Sequence, residues 1–119
     1  MASCMPNANN IGYHVSKAAA RMLTFCGAIE FGPRKIRVNS VHPGLTITPL
    51  VKEGFADYVA AGLWKTEAEA EAAISGMSPL CMSSQPEDTA QAFVYLASEE
   101  ARFVTGASLY HDGGIGQRY

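Results

Sequence analysis

Apolar residues recur at three- and four-residue steps over residues 13–31, the spacing of one face of an α-helix. The pattern predicts a long helix that ends at Gly32-Pro33, because glycine and proline both interrupt helical backbone. A polar segment rich in turn-forming residues precedes it. The apolar residues at this spacing are Ala18, Met22, Phe25 and Ile29, with Ala19, Leu23 and Cys26 beside them.

Two short segments have the composition of β-strands. Residues 36–41, with the sequence IRVNSV, alternate apolar and polar side chains and predict a strand that ends at His42-Pro43-Gly44. Residues 107–111, with the sequence ASLYH, predict a second strand, and Asp112-Gly113-Gly114 predicts the turn that follows it. The two strands are far apart in sequence, so other elements must connect them.

Three helices are predicted between the strands. The first covers residues 50–61, and the second, rich in alanine and glutamate, covers residues 67–74. The third follows a predicted capping box formed by Ser84 and Glu87, with Pro86 in its first turn. Its predicted core face consists of Ala90, Phe93, Val94, Leu96 and Ala97.

Strands that alternate with helices predict an α/β fold with a parallel sheet. Two strands are few for such a sheet, which needs several strands covered by helices on both faces. No repeat, low-complexity segment or domain boundary divides the 119 residues. We therefore expect a single domain, and we expect this chain to be part of a larger fold.

The composition and charge of the chain argue against several kinds of binding partner and site. The net charge of −2 argues against a nucleic-acid or membrane-surface partner, because either would need a basic patch. No apolar run approaches the ~18 residues that a membrane helix requires. The scattered cysteines, Cys4, Cys26 and Cys81, predict free thiols in a reducing cytoplasm. The three histidines are also far apart, so no metal site is expected.

The candidate chemistry is carried by Tyr13 and Lys17, four positions apart at the start of the first helix. Side chains at i and i+4 share a helix face, so the ammonium would lie near the phenol. At about 4–5 Å and an effective dielectric near ~20, one positive charge favours the phenolate by about 3–4 kcal/mol. The pair could therefore move a proton on or off a hydroxyl. Alternatively, the two residues are ordinary solvated neighbours on a helix.

Three ordered motifs give this pair a context. YHVSKAAA (13–20), IRVNSVHPG (36–44) and PEDTAQAFVYLASEEARFVTGASLYHDGG (86–114) together resemble the short-chain dehydrogenase/reductase (SDR) family. The resemblance covers almost the whole chain and is loosest over residues 49–80. It implies that residues 1–119 are the carboxyl-terminal half of a single doubly wound, parallel-sheet (Rossmann-like) domain.

The resemblance implies an NAD- or NADP-dependent oxidoreductase that transfers hydride between the cofactor and a small-molecule carbonyl or secondary alcohol. Tyr13 would be the acid/base. Lys17 would assist it and hydrogen-bond the ribose attached to nicotinamide. For the loop that follows the first strand, an ordinary structural role is the alternative. The positions that would contact the cofactor are Tyr13, Lys17, Pro43, Gly44, Thr46 and Thr48.

Residues 49–80 correspond to the variable lid over the substrate in this family. The apolar side chains there either line a substrate pocket or pack the lid onto the body: Phe55, Tyr58, Leu63, Trp64 and Met77. Outside the lid, the resemblance implies a structural hydrogen-bonding role for Asn39. His42 and His111 are interpreted as local structure.

Some parts of the SDR pattern have no counterpart in this sequence. There is no strand, glycine-rich turn and helix of the kind that binds a pyrophosphate. The family's catalytic serine would fall before Met1, with Ser3 as a poorly spaced substitute. Two hypotheses therefore stand: an SDR oxidoreductase, homo-oligomeric in its full-length form, or an inactive fragment. The fragment would dock onto intact subunits through the 13–31 helix and the carboxyl-terminal strand.

Overall fold

The first predicted helix is confirmed in the computed structural model, which describes residues 10–117. Helix α1 spans Ile11–Phe31. A 3₁₀ turn over Gly32–Arg34 follows, and Lys35 then adopts a left-handed conformation with φ of 62°. The glycine–proline pair therefore ends the α-helix as predicted, and the residues after it redirect the chain.

Two parallel strands form the sheet within the described residues: β1 over Ser40–Pro43 and β2 over Ser108–His111. The register pairs Val41 with Leu109. Parallel neighbours need a crossover connection, and here it contains the three helices α2, α3 and α4. The predicted α/β fold with a parallel sheet is therefore confirmed.

Strand β1 begins later than predicted. Regular pairing starts at Ser40, so the prediction of a strand over residues 36–39 was wrong. The Val38 N–H donates to Thr105 Oγ1 at 3.1 Å, and the Gly106 N–H donates to Val38 O at 2.7 Å. One of these bonds is made by a side chain. Residues 36–39 therefore contact residues 104–106 without the regular backbone hydrogen bonds of a β-sheet.

Asn39 completes the same connection. Its Nδ2 donates to Val104 O at 2.9 Å, and its Oδ1 accepts from the Ala107 N–H at 3.0 Å. One side-chain amide thereby satisfies two backbone groups directly ahead of the paired strands. The predicted structural hydrogen-bonding role of Asn39 is confirmed.

The lid region contains two helices. Helix α2 spans Pro49–Ala60 and helix α3 spans Glu67–Ser75, each within one residue of its predicted bounds. Each helix follows a threonine, Thr48 or Thr66, whose hydroxyl accepts a hydrogen bond from a backbone N–H of the first turn. Local capping therefore accounts for where both helices begin.

Helix α4 spans Pro86–Ala97, but its cap differs from the prediction. The N-cap is Gln85, whose backbone N–H donates to Asp88 Oδ2 at 2.7 Å, so the capping box predicted for Ser84 and Glu87 was wrong. The proline at the first helical position sets the N-cap at the residue directly before it. The box therefore shifts by one position, and Ser84 is free to bind elsewhere.

The predicted apolar stripe of α1 does not face a core within the described residues. Met22 and Ile29 are 57% and 81% exposed, whereas Thr24 and Gly27 are buried. A Cβ on Gly27 would lie 3.3 Å from Val38 Cγ1, so α1 approaches the body through a small residue. The large apolar side chains of this stripe therefore stay at the surface, because the close approach of the α1 backbone to Val38 selects small side chains.

Helix α4 differs from its predicted face in the same way, since it buries Ala92 while Phe93 and Val94 are exposed. Large apolar side chains on both long helices thus remain at the surface of the described structure. No helix within residues 10–117 has both the length and the hydropathy needed to cross a bilayer. The buried apolar residues are few and mostly small: Phe55, Ala70, Ala92, Ala101 and Ile115.

Candidate active site

The predicted acid–base pair lies in the first two turns of α1. Lys17 Nζ lies 5.4 Å from the centroid of the Tyr13 ring, so the prediction that the two side chains share a face is confirmed. Tyr13 is 53% exposed, and Lys17 is also exposed. Ser16 Oγ donates to Tyr13 O at 2.7 Å, within the helix. The ring of His14 makes an edge contact with the Tyr13 ring at 6.0 Å. The Tyr13 side chain is thus open to a second molecule.

Gly44 lies at the carboxyl end of β1, directly after Pro43. Its N–H donates to His111 O at 2.9 Å. A Cβ on Gly44 would lie 2.9 Å from Asp112 Cα and 3.0 Å from Asp112 O. The backbone of this bend therefore passes the neighbouring turn at a distance that only glycine permits. The carboxyl ends of parallel strands are where open α/β sheets bind ligands.

The turn that Gly44 contacts is held by the buried carboxylate of Asp112. Oδ1 accepts from the Gly114 N–H at 2.9 Å, and Oδ2 accepts from the Gly116 N–H at 3.0 Å. Gly113 and Gly114 adopt φ of 62° and 81°, values that favour glycine. The predicted turn is confirmed, and both oxygens of Asp112 are engaged by the backbone.

Thr46 is held by Ser84, which lies at the far end of the lid. Thr46 Oγ1 lies 2.9 Å from Ser84 Oγ. The Ile47 N–H donates to Ser84 O at 2.9 Å, and the Ser84 N–H donates to Leu45 O at 2.9 Å. Ser84 therefore binds three consecutive residues of the loop after β1 and joins the two ends of the lid. The Thr46 hydroxyl is used inside the protein.

Thr48 has a structural role of its own, as the N-cap of α2. Its Oγ1 accepts from the Val51 N–H at 3.3 Å, and its carbonyl accepts from the Lys52 N–H at 3.0 Å. A hydroxyl that accepts in a cap still has its own proton to donate. The cap explains why threonine stands here, and it leaves one donor for a ligand.

An open cavity of about 960 Å³ lies between the lid and the ends of the two strands. Gly44 is the single predicted site residue in its lining. Tyr13 and Lys17, on α1, do not line this cavity. The structure therefore brings Tyr13 and Lys17 together, and it fixes the loop that carries Pro43, Gly44, Thr46 and Thr48. This cavity, however, is lined by part of the loop and not by the Tyr13–Lys17 pair.

The lid residues divide between the two roles that the sequence left open. Tyr58 and Met77 line the cavity. Phe55 is buried, and Trp64 packs edge-on against the Tyr58 ring at 5.4 Å. Leu63 is exposed, so it neither lines the cavity nor packs the lid onto the body.

His42 is part of the sheet rather than of the site. Its ring stacks on Tyr110 with centroids 5.1 Å apart, and its Nε2 lies 2.9 Å from Ser40 Oγ. Burial, with a contribution from the positive charge of Arg21, lowers the pKa of His42 below its ordinary value. These contacts agree with the interpretation of His42 as local structure.

Sequence reasoning missed two residues that fix the candidate loop, Ser84 and Asp112. The signal for Ser84 was the proline two positions later, which assigns the N-cap to Gln85 and releases Ser84. The signal for Asp112 was the Asp-Gly-Gly sequence, since aspartate commonly accepts from backbone N–H groups of its own turn. Ser3, the substitute proposed for the catalytic serine, lies outside the described residues.

Comparisons with known proteins agree with this architecture. The family model described as "Enoyl-(Acyl carrier protein) reductase" matches residues 1–116. The 3beta-hydroxysteroid dehydrogenase 1 of Eggerthella lenta is 42% identical over 103 residues, which make up 87% of this chain and 36% of that protein. A short chain dehydrogenase family protein from Francisella tularensis superposes with a TM-score of 0.93 at 27% identity, over 98% of this chain and 48% of that one.

A further solved structure, 4-hydroxyisoleucine dehydrogenase complexed with NADH, superposes with a TM-score of 0.81 at 31% identity, over 99% of this chain and 44% of that one. A helix with a Tyr–Lys pair precedes a strand that leads to a Pro-Gly bend, and this strand pairs in parallel with a second one. This arrangement is that of a Rossmann-like α/β protein. The chain belongs to the short-chain dehydrogenase/reductase family. It spans less than half the length of each of these three relatives.

Proposed function

We propose that this chain carries the proton-transfer residues of an NAD(P)-dependent oxidoreductase that acts on a carbonyl or a secondary alcohol. The observation that supports this is the approach of Lys17 Nζ to 5.4 Å from the Tyr13 ring centroid on an open helix face. In reduction, the Tyr13 hydroxyl donates its proton to the carbonyl oxygen. In oxidation, the phenolate accepts a proton from the alcohol. The Lys17 ammonium stabilises the phenolate that each cycle passes through.

The donors present fit a nicotinamide cofactor, which supplies or accepts the hydride when it is bound. Lys17 makes no ion pair within the described residues, so its ammonium is available to the ribose hydroxyls. The Thr48 hydroxyl retains a proton to donate, and the backbone around Gly44 and Thr46 is held in place from two sides. Pro43, Gly44, Thr46 and Thr48 would thus position the carboxamide, with Thr46 contributing through its backbone.

We also propose that residues 1–119 form the carboxyl-terminal half of one Rossmann-like domain, with residues 49–80 as its lid. The two-stranded parallel sheet supports this, because one strand pair is small for an independent α/β domain. The coverage of 48% of the Francisella structure supports it as well. Isolated function of the chain is then a question for experiment.

The purified 119-residue chain tests the proposal. NADH and NADPH binding is followed by cofactor fluorescence, and turnover is measured on a panel of ketones and secondary alcohols. We expect saturable binding of at least one cofactor and turnover that disappears in Tyr13→Phe. If neither cofactor binds, the isolated chain is not the enzyme, and the second candidate function applies.

That second candidate is a non-catalytic subunit that docks onto intact members of the family. Its support is the apolar surface of α1, where Val15, Leu23 and Ile29 are all more than half exposed. Such a surface is a marker of an interaction site. Sedimentation of the chain alone and mixed with a full-length SDR protein distinguishes the two candidates, because only the docking hypothesis requires a mixed complex.

A further inference from the structure

We propose that the cavity beneath the lid receives an uncharged, largely apolar alcohol or carbonyl compound and disfavours anionic ones. This inference rests on the proposed function, because it names the substrate class of that oxidoreductase.

The walls of the cavity are mainly apolar. Leu45, which follows the Pro-Gly bend, lines the cavity together with residues of the lid, of the segment after the lid and of the end of β2 with its turn. The aliphatic and thioether side chains in the lining are Leu45, Ile74, Met77, Leu80, Met82 and Ile115. Contact with such side chains favours an apolar ligand body, because binding removes apolar surface from water. Methionine also adapts to ligands of varied shape.

Among residues 10–117, the lining includes no lysine or arginine. Its two carboxylates are already engaged, since Asp88 accepts from the Gln85 N–H and Asp112 accepts from two glycine N–H groups. The one histidine ring in the described lining, that of His111, has a buried Nδ1 atom without a hydrogen-bond partner among residues 10–117. A carboxylate or phosphate in the cavity would therefore meet two carboxylates and no lysine or arginine among the described residues of the lining, which leaves its charge unpaired.

Polar recognition in the cavity is sparse. The hydroxyls of Ser78 and Ser83 donate to protein oxygens, and that of Ser84 is used by the loop. Tyr58 is braced by Trp64 and makes no hydrogen bond within residues 10–117 that would occupy its hydroxyl. A ligand with one hydroxyl or carbonyl group matches a lining with few available hydrogen-bonding groups.

The cavity also meets the proposed cofactor loop. Gly44 and Leu45 belong both to its lining and to the segment that Ser84 and Asp112 hold in place. A ligand in the cavity would therefore lie beside the backbone that is proposed to position nicotinamide. This continuity with the loop supports substrate as the occupant, whereas Tyr13 and Lys17 lie outside the lining.

Methionine methyl NMR tests the proposal with a matched pair of probes, 2-decanol and decanoate, which have the same chain length and differ in charge. The signals of Met77 and Met82 report on the cavity, and that of Met22, on α1, is an internal control. We expect 2-decanol to shift Met77 and Met82 saturably and to leave Met22 unchanged. Decanoate should need a concentration at least about tenfold higher, because its charge is unpaired there.

The Leu80→Lys variant adds a cation to the lining at a side chain that is 67% exposed and can be replaced without loss of a core residue. We expect it to reverse the preference toward decanoate. Leu50→Lys, on α2 outside the cavity and with a side chain that is 77% exposed, should leave the preference unchanged. Equal binding of both probes, tighter binding of decanoate by the native chain, or no saturable shift would each overturn the proposal. Because the assay needs no turnover, loss of the Tyr13 mechanism alone would not alter its result.

Discussion

Ser84 Oγ lies 2.9 Å from Thr46 Oγ1, although the two residues are 38 positions apart in sequence. The contact closes the base of the lid, since everything between these residues is α2, α3 and their connections. The backbone of Ser84 adds bonds to Leu45 and Ile47 on either side of Thr46. One serine therefore fixes both the lid and the loop that is proposed to hold the cofactor.

We predict that Ser84→Ala loosens this loop without unfolding the chain. The substitution removes the Oγ bonds to Leu45 O and Thr46 Oγ1 but keeps the backbone bonds, so the cost is about 1 kcal/mol. Hydrogen exchange of the Ile47 amide, which donates to Ser84 O, should become faster. Ser83→Ala is the matched control, because Ser83 Oγ donates to Glu71 Oε1 instead. An Ile47 amide that exchanges equally fast in both variants contradicts the assigned role.

A second prediction concerns Gly44. In Gly44→Ala the new Cβ would lie 2.9 Å from Asp112 Cα, and because the obstruction is backbone, the bend itself has to shift. We expect a loss of about 1–3 kcal/mol in the free energy of unfolding, measured with urea. The same change at Gly54 is the control, since a Cβ there meets nothing within 4 Å. Gly54 lies inside α2, so alanine should stabilise it by up to about 1 kcal/mol. If alanine changed the free energy of unfolding equally at Gly44 and Gly54, the backbone of Gly44 would not be tightly packed against Asp112.

How far the sequence could predict this structure depends on whether the determining interactions are local. The helix bounds of α2 and α3 are set by their own capping threonines and were predicted within one residue. The cap of α4 is also local, and its misassignment came from weighing Ser84 above the constraint of the adjacent proline. The start of β1 depends instead on what lies beside residues 36–39, and periodicity carries no information about that neighbour.

The candidate site divides in the same way. The i, i+4 relation of Tyr13 and Lys17 follows from helix geometry, so the sequence predicted their shared face correctly. The bond between Ser84 and Thr46 and the contact between Gly44 and Asp112 join distant segments. Burial of the apolar faces of α1 and α4 likewise depends on partners in space. Hydrophobic periodicity identifies an apolar face, but it does not show which molecule covers that face.

A third prediction tests the acid–base pair, in a protein that contains this sequence and turns over a carbonyl substrate. Tyr13→Phe removes the hydroxyl and keeps the ring, so kcat should fall by about 10²–10⁴ while nicotinamide binding stays nearly unchanged. Lys17→Ala should lower kcat and also weaken nicotinamide binding, because the ammonium is proposed to act on the phenolate and on the ribose. Tyr95→Phe, on α4, is the control for loss of a partly exposed phenol. Full activity in Tyr13→Phe would end the assignment.

The last prediction follows from His42, whose pKa is lowered by burial and by the charge of Arg21. The unfolded chain takes up a proton at a pH of about 6.5, and the folded chain takes it up only at a lower pH because its pKa is lowered. Stability from His42 is therefore complete above that pH and falls as the pH drops toward the folded pKa, by at most about 1.4 kcal/mol per pH unit. Urea unfolding at pH 7.5 and 5.5 should show this loss, and His42→Gln should reduce it. His14→Gln, on α1, should retain it; an unchanged pH dependence in His42→Gln would assign the effect to other groups.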